Sequence, residues 1–98
     1  MKIYIAGKIT GDPDFKEKFQ AVEEKLKALG HTVMNPAVLP LGFEHHEYMN
    51  VCLAMIDVCD CVYMLPDWRD SKGACIERDY AIAKRKLITM HVDRCGIT

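Results

Sequence analysis

The run Cys61-Val62-Tyr63-Met64-Leu65-Pro66 is apolar without alternation. A strand with one wet face alternates between apolar and polar residues. A continuously apolar strand is covered on both faces, as in a parallel sheet flanked by helices. Parallel neighbours need long crossovers, usually helical, so this one run dictates what the rest of the chain must supply.

The chain supplies it. Residues 2–6 (KIYIA) read as a strand with Ile3 and Ile5 on one face, ending at a GKITG loop where Gly7 and Gly11 permit turns or a close ligand approach. From Asp14, the apolar residues Phe15, Phe19, Val22, Leu26 and Leu29 recur at helical spacing, and Gly30 closes the segment. Residues 31–36 predict a second strand, stopped by Asn35-Pro36, and 37–44 a loop. A second helix over 46–60 uses Met49, Cys52, Leu53 and Ile56 as its apolar side; a third spans 74–86 and a last strand 87–90. The order β-α-β-α-β-α-β implies a three-layer α/β domain with a mainly parallel sheet of about four strands.

With 98 residues, 50% hydrophobic and 28% charged, the chain is expected to form one domain over 1–98. A domain this small buries only roughly two thirds of its unfolded surface, so a homo-oligomer is expected. Thirteen Lys and Arg against fourteen Asp and Glu leave a charge of -1 and no basic block, which argues against a nucleic-acid polymer as partner. No apolar run approaches the roughly 20 residues of a membrane span, and Met1-Lys2-Ile3 leads straight into a strand, so the expectation is a cytoplasmic protein without membrane contact. The cysteines at 52, 59, 61, 75 and 95 form no CxxC and read as ordinary buried thiols; neither a metal nor another cofactor is expected.

Ligands of open parallel sheets bind beyond the carboxyl ends of the strands. Residues 7–12 and 66–73 both fall there. Ser71 is a natural helix cap, Gly73 allows a ligand near the backbone, and the amides of Gly73 and Ala74 could receive a phosphate or carboxylate. Glu77, four residues on from Gly73, shares its helix face. With Asp70 it forms a possible pair of acids for retaining glycoside chemistry, which sets two carboxyl groups about 5 Å apart. Spacing alone equally allows Asp70 as turn chemistry and Glu77 as part of a solvated face. Trp68 either stacks on a ring or covers the sheet end. Lys8 and Thr10 could hold a phosphate or hydroxyl; Tyr4 is either core or an orienting hydroxyl. Asn50 and Tyr48 either reach a sugar or cap and pack their helix, while Glu47, His45 and His46 read as surface residues.

The stretches YIAGKITG, NPA, YMNVCLAMIDVCDCVYMLPDW and DSKGACIERDYA, spread over about residues 2–90, resemble a small DUF4406-like family of bacterial and phage proteins related to nucleoside 2-deoxyribosyltransferases. The resemblance implies a flavodoxin-like or Rossmann-like fold and a nucleoside or nucleotide ligand. It implies Glu77 as nucleophile, Asp70 as proton carrier to and from the base, and Tyr4 as the group orienting the glutamate. Gly7 would lie against the ligand, and Ser71 with Gly73 would line the sugar or a 5'-phosphate. Lys72 intrudes where the transferases run Asp-Ser-Gly directly. Asn50 falls near the place of a sugar-binding aspartate, and His91, Asp93 and Arg94 give no clear counterpart to the residues that a neighbouring subunit supplies in the transferases. Three functions therefore stay open: N-glycosidic cleavage or transfer, binding of a nucleotide or ADP-ribose-like ligand without turnover, and a structural subunit.

Overall fold

The computed structural model describes residues 1–91. Strands β1 (Lys2–Ala6), β2 (Thr32–Met34), β3 (Cys61–Met64) and β4 (Leu87–Met90) alternate with helices α1 (Phe15–Ala28), α2 (His45–Asp57) and α3 (Lys72–Ala83). All pairings are parallel, in the order β2-β1-β3-β4. This is a Rossmann-like or flavodoxin-like α/β fold, and its strand order reverses direction between β1 and β3.

Pleating divides the side chains of the two inner strands between two cores. Ile3 and Ile5 of β1, with Cys61 and Tyr63 of β3, pack with Phe19, Val22 and Leu26 of α1. Tyr4, Ala6, Val62 and Met64 point the other way, toward Cys52 and Ile56 of α2 and Ala74 and Ala81 of α3. β3 is buried along its whole length, the pattern its unbroken apolar run predicts.

Several boundaries differ from the sequence expectation, each for a local reason. α2 stops at Asp57 rather than continuing to 60, because Asp60 serves the sheet: its carboxylate accepts the Lys2 N–H at 3.0 Å, and its own N–H donates to the Lys2 carbonyl at 2.8 Å. The second strand covers only Thr32–Met34, since Asn35 turns its side chain back to accept the Ala37 N–H and starts a 3₁₀ turn over Pro36–Val38. α3 runs from Lys72 to Ala83, earlier at both ends than expected, because the Ser71 hydroxyl caps it at the Ala74 N–H. Leu29, expected on the buried stripe of α1, is 66% exposed: it is the helix C-cap, beyond the last turn that faces the sheet. Gly30 follows at φ 93°, a left-handed turn that glycine adopts without strain. Cys52, Cys59 and Cys61 are buried, Cys75 is half-buried, and Cys95 lies outside the described residues.

No helix among the described residues is long and apolar enough to cross a membrane.

Candidate functional site

Parallel inner strands leave a crevice at their carboxyl ends, and the parts of the candidate site are arranged around it. Tyr4 lies on β1, and the α3 residue it meets is Glu77. The Tyr4 hydroxyl, wholly buried, donates a 2.5 Å hydrogen bond to Glu77 Oε2, and Glu77 itself is 6% exposed. Four residues separate Gly73 from Glu77, a little over one turn, so both lie toward the same side of α3. On α2, Met49 and His45 face Gly73: a Cβ added there would meet Met49 Sδ at 3.4 Å and His45 Cε1 at 3.7 Å. Cys52, three residues after Met49, continues that face of α2 down to the Tyr4–Glu77 pair.

Electrostatics single out this pair. Burial pushes the Glu77 carboxyl from its ordinary 4.5 up to about 7, against the opposing pull of the Tyr4 hydroxyl and, next, the Cys52 thiol. The Cys52 thiol is pushed up to about 12, chiefly by burial, and stays protonated at neutral pH. Tyr4 is raised well above 10.0 by burial and then by the Glu77 charge, so it remains a hydrogen-bond donor. The arrangement is one buried carboxyl group, half ionised near neutrality, with two neutral donors. A carboxyl group so tuned can act as a nucleophile or a base, and perturbed groups of this kind mark functional sites as well as some structural ones.

The other sequence candidates are distributed around this centre. Ser71 caps α3, accepting the Ala74 N–H at 3.1 Å, so the Ala74 amide expected to be free for an anion is already engaged. The Gly73 amide lies in the same first turn, where a helix supplies no internal acceptor. Gly7 is buried, and its lack of a side chain has a packing cause: an added Cβ would lie 2.6 Å from Leu65 Cδ1 and 2.9 Å from Leu65 Cβ. Lys8 is half-buried, and its N–H donates to Asp67 Oδ1 at 3.0 Å; the Asp12 carboxyl is held low first by the Lys18 hydrogen bond and only last by the Lys8 charge. Thr10 is exposed.

Asp70 sits exposed in a 3₁₀ turn over Trp68–Asp70, and no hydrogen bond among the described residues joins it to Glu77. Asn50 is exposed on α2; one residue past Met49, it is turned about 100° from the face that meets α3. Trp68 is half-buried and packs against the core on the α2–α3 side, with the Arg69 and Arg78 guanidinium groups 4.8 and 5.1 Å from its ring centre. Its backbone carbonyl accepts from the Cys75 thiol at 3.6 Å.

Two residues weighed for sugar contact or surface are structural. The Tyr48 hydroxyl donates to the Pro40 carbonyl at 2.6 Å, and Glu47 completes a capping box with Glu44. His91 pairs through Nδ1 with the Tyr63 hydroxyl at 2.7 Å, on the α1 side of the sheet; Asp93 and Arg94 lie outside the described residues. A hollow of about 380 Å³ on that α1 side, between Leu26, Leu29, His31, Tyr63 and Met90, has no acid in its lining. Among the described residues no group of three His, Cys, Asp or Glu could hold a metal ion.

Sequence reasoning took Cys52 as an ordinary core thiol and passed over Lys18. Cys52 carried a signal in its three-residue spacing from Met49, but its partners come from other elements. Lys18 carried none, because both of its carboxylate partners lie in loops whose meeting depends on the sheet.

Residues 1–90 match the family model described as "Domain of unknown function (DUF4406)". The chain belongs to the DUF4406 family. No curated protein matches this DUF4406 chain. Solved structures do. A 2-desoxiribosyltransferase from Leishmania mexicana aligns with TM-score 0.73 at 22% identity, over 91% of this chain and 62% of that one. A CMP N-glycosidase from Clostridium botulinum aligns with TM-score 0.70 at 20% identity, over 92% of this chain and 70% of that one. A 2-deoxyribosyltransferase from Bacillus psychrosaccharolyticus aligns with TM-score 0.69 at 21% identity, over 100% of this chain and 80% of that one. The DUF4406 chain therefore spans less than two thirds of the Leishmania protein, and it shares its fold with all three.

Proposed function

We propose that this DUF4406 protein cleaves or exchanges the N-glycosidic bond of a deoxynucleoside or deoxynucleoside 5'-monophosphate, with Glu77 as nucleophile. The observation that carries this reading is the buried Glu77 carboxyl group held by the Tyr4 hydroxyl at 2.5 Å, in a fold otherwise seen in deoxyribosyltransferases and a CMP N-glycosidase.

A Glu77 oxygen attacks the anomeric carbon while the carbon–nitrogen bond breaks, its electron pair leaving with the base. Asp70 delivers the proton that the departing base takes up. Water then attacks the same carbon and gives its proton to the Asp70 carboxylate as the bond to Glu77 breaks, releasing the sugar and the Glu77 carboxylate, which is hydrolysis; a second base that attacks in place of water and loses its N–H proton to Asp70 gives transfer. Tyr4 fixes the carboxylate and stabilises its charge, a charge-assisted hydrogen bond being about twice as strong as a neutral one. Gly7, Ser71 and Gly73 line the sugar or its 5'-phosphate, Lys8 offers it charge, and Asn50 and Trp68 complete the contacts once ligand is bound. A homo-oligomer in the cytoplasm, needing no cofactor, is part of the same reading.

Binding of a nucleotide without turnover is the second reading. The exposed position of Asp70, with no bond to Glu77, favours it.

Chromatography of free base released from a panel of deoxynucleosides and their 5'-monophosphates, with and without an acceptor base, tests the proposal. Release that vanishes in Glu77→Ala supports the nucleophile, and acceptor dependence distinguishes transfer from hydrolysis. No release from any substrate, together with nucleotide binding that survives Glu77→Gln, would replace it with the binding reading.

A further inference from the structure

Two loops bound the crevice, the β1–α1 loop with Lys8 and the β3–α3 loop with Asp67 and Ser71. They are joined by one charged cluster. Lys18, on α1, donates its ammonium to Asp12 Oδ2 at 2.5 Å, to the Lys8 carbonyl at 3.0 Å, and to Asp67 Oδ2. Asp67 uses its other oxygen, Oδ1, to accept the Lys8 N–H at 3.0 Å. One carboxylate therefore grips the β1–α1 loop through a backbone amide and α1 through an ammonium, while that ammonium holds the same loop through a carbonyl.

We infer that the Lys18–Asp67 pair is a positioning device for the candidate site, fixing the Lys8 backbone relative to the loop that leads into Ser71. The inference rests on the reading under Proposed function, in which both loops touch substrate.

The geometry separates this pair from an ordinary surface ion pair, which contributes little. Lys18, Asp12 and Asp67 have side chains only 25%, 22% and 28% exposed. One cation is shared by two carboxylates, so its removal leaves two like charges facing each other beside the loop. The contacts also cross the fold: Lys18 belongs to the helix on one face of the sheet, whereas Ser71 opens the helix on the other. Preorganising a loop in its bound conformation reduces the entropy cost of binding and appears mainly in KM when the chemical step is unaltered.

The substitutions are graded. Asp67→Asn retains an acceptor for the Lys8 N–H and loses the charge facing Lys18; Asp67→Ala loses both; Lys18→Arg retains the charge. Amide exchange of the free protein, read at Lys8, is expected to accelerate at least tenfold in Asp67→Ala, less in Asp67→Asn, and to stay near wild type in Lys18→Arg. In the base-release assay, KM is expected to rise at least fivefold in Asp67→Ala with kcat within twofold, and to be restored toward wild type in Lys18→Arg. A purely structural role would lower Tm in all three and leave KM alone.

Wild-type exchange at Lys8 in folded Asp67→Ala, or an unchanged KM beside a lowered Tm, overturns the inference. Because exchange is measured without substrate, it still decides whether the pair holds the loop if the nucleoside panel shows no turnover, an outcome that would remove the proposed reaction on separate grounds.

Discussion

The Tyr4 hydroxyl on β1 and the Glu77 carboxylate on α3 meet through a 2.5 Å hydrogen bond inside the core, 73 residues apart in the chain. A buried carboxylate with a single strong donor is held in place but remains costly to ionise, and that conflict is the source of its chemistry.

The first consequence is a dependence of stability on pH. Burial raises Glu77 from 4.5 to about 7, so the native state holds a proton that the unfolded chain releases at lower pH. The stabilising contribution is fully present below 4.5 and lost as pH rises through about 7. Glu77→Gln should therefore leave stability nearly unchanged at pH 4 and raise it at pH 8, by an amount on the order of 3 kcal/mol at most. Urea unfolding at the two pH values measures this; an equal effect at both would contradict a raised Glu77.

Tyr4→Phe should work in the opposite direction at high pH. The hydroxyl is the largest influence lowering the Glu77 value, so its loss should drive that value above 7 and shift the rising limb of base release to higher pH. A buried hydrogen bond to a charged group contributes about 1.5–3 kcal/mol, so the variant should lose roughly that at pH 8 and less at pH 5, where Glu77 is protonated. A pH–rate profile beside thermal melts checks both. An unmoved profile would show that Tyr4 supports the fold without tuning Glu77.

These two residues also mark how far the sequence could be read. The short strand Lys2–Ala6 and the unbroken apolar run from Cys61 give the parallel sheet covered on both faces and the edge where a ligand would sit. Ser71 as a cap is similarly local, because the acceptor and its donor are three residues apart. Glu77 was nameable from its spacing to Gly73, but its burial was not: Arg78, Asp79 and Lys84 around it spell a wet helix, and only the packing of α3 beside α2 over Tyr4 turns that position inward. The same limit hid Cys52 and Lys18, whose partners lie on other elements. Gly7 was read as permitting a turn or a close ligand approach, and the place a side chain would take there is filled by Leu65, a contact no local spacing announces.

That contact supports a third prediction. Gly7→Ala would force a methyl group to within 2.9 Å of Leu65 Cβ, which cannot rotate away, and Leu65 is itself 1% exposed. Overpacking of this kind costs about 1–3 kcal/mol. In a double-mutant cycle with Leu65→Ala the two losses should be partly non-additive, since truncation removes the Leu65 Cδ1 and Cγ contacts at 2.6 and 3.0 Å while the Cβ contact at 2.9 Å remains. Additive losses would place the need for glycine at Gly7 somewhere other than this contact.

Cys52 supplies the last prediction, and the one that best resolves the shared environment of the pair. Its thiol lowers Glu77 less than the Tyr4 hydroxyl does, while burial holds the thiol itself near 12. Two outcomes follow from that ordering. In the native protein at pH 8, Cys52 should resist alkylation because its reactive thiolate is scarce and its side chain buried, while the half-buried Cys75 offers the more accessible thiol. Cys52→Ala should raise the Glu77 value by less than Tyr4→Phe does, so pH–rate midpoints should run wild type, Cys52→Ala, Tyr4→Phe from low to high. Carbon-13 titration of the glutamate carboxyl groups gives the same order without substrate. A Cys52→Ala midpoint equal to wild type would reduce Cys52 to core packing, and one above Tyr4→Phe would make the thiol, rather than the phenol, the main partner of the buried carboxylate.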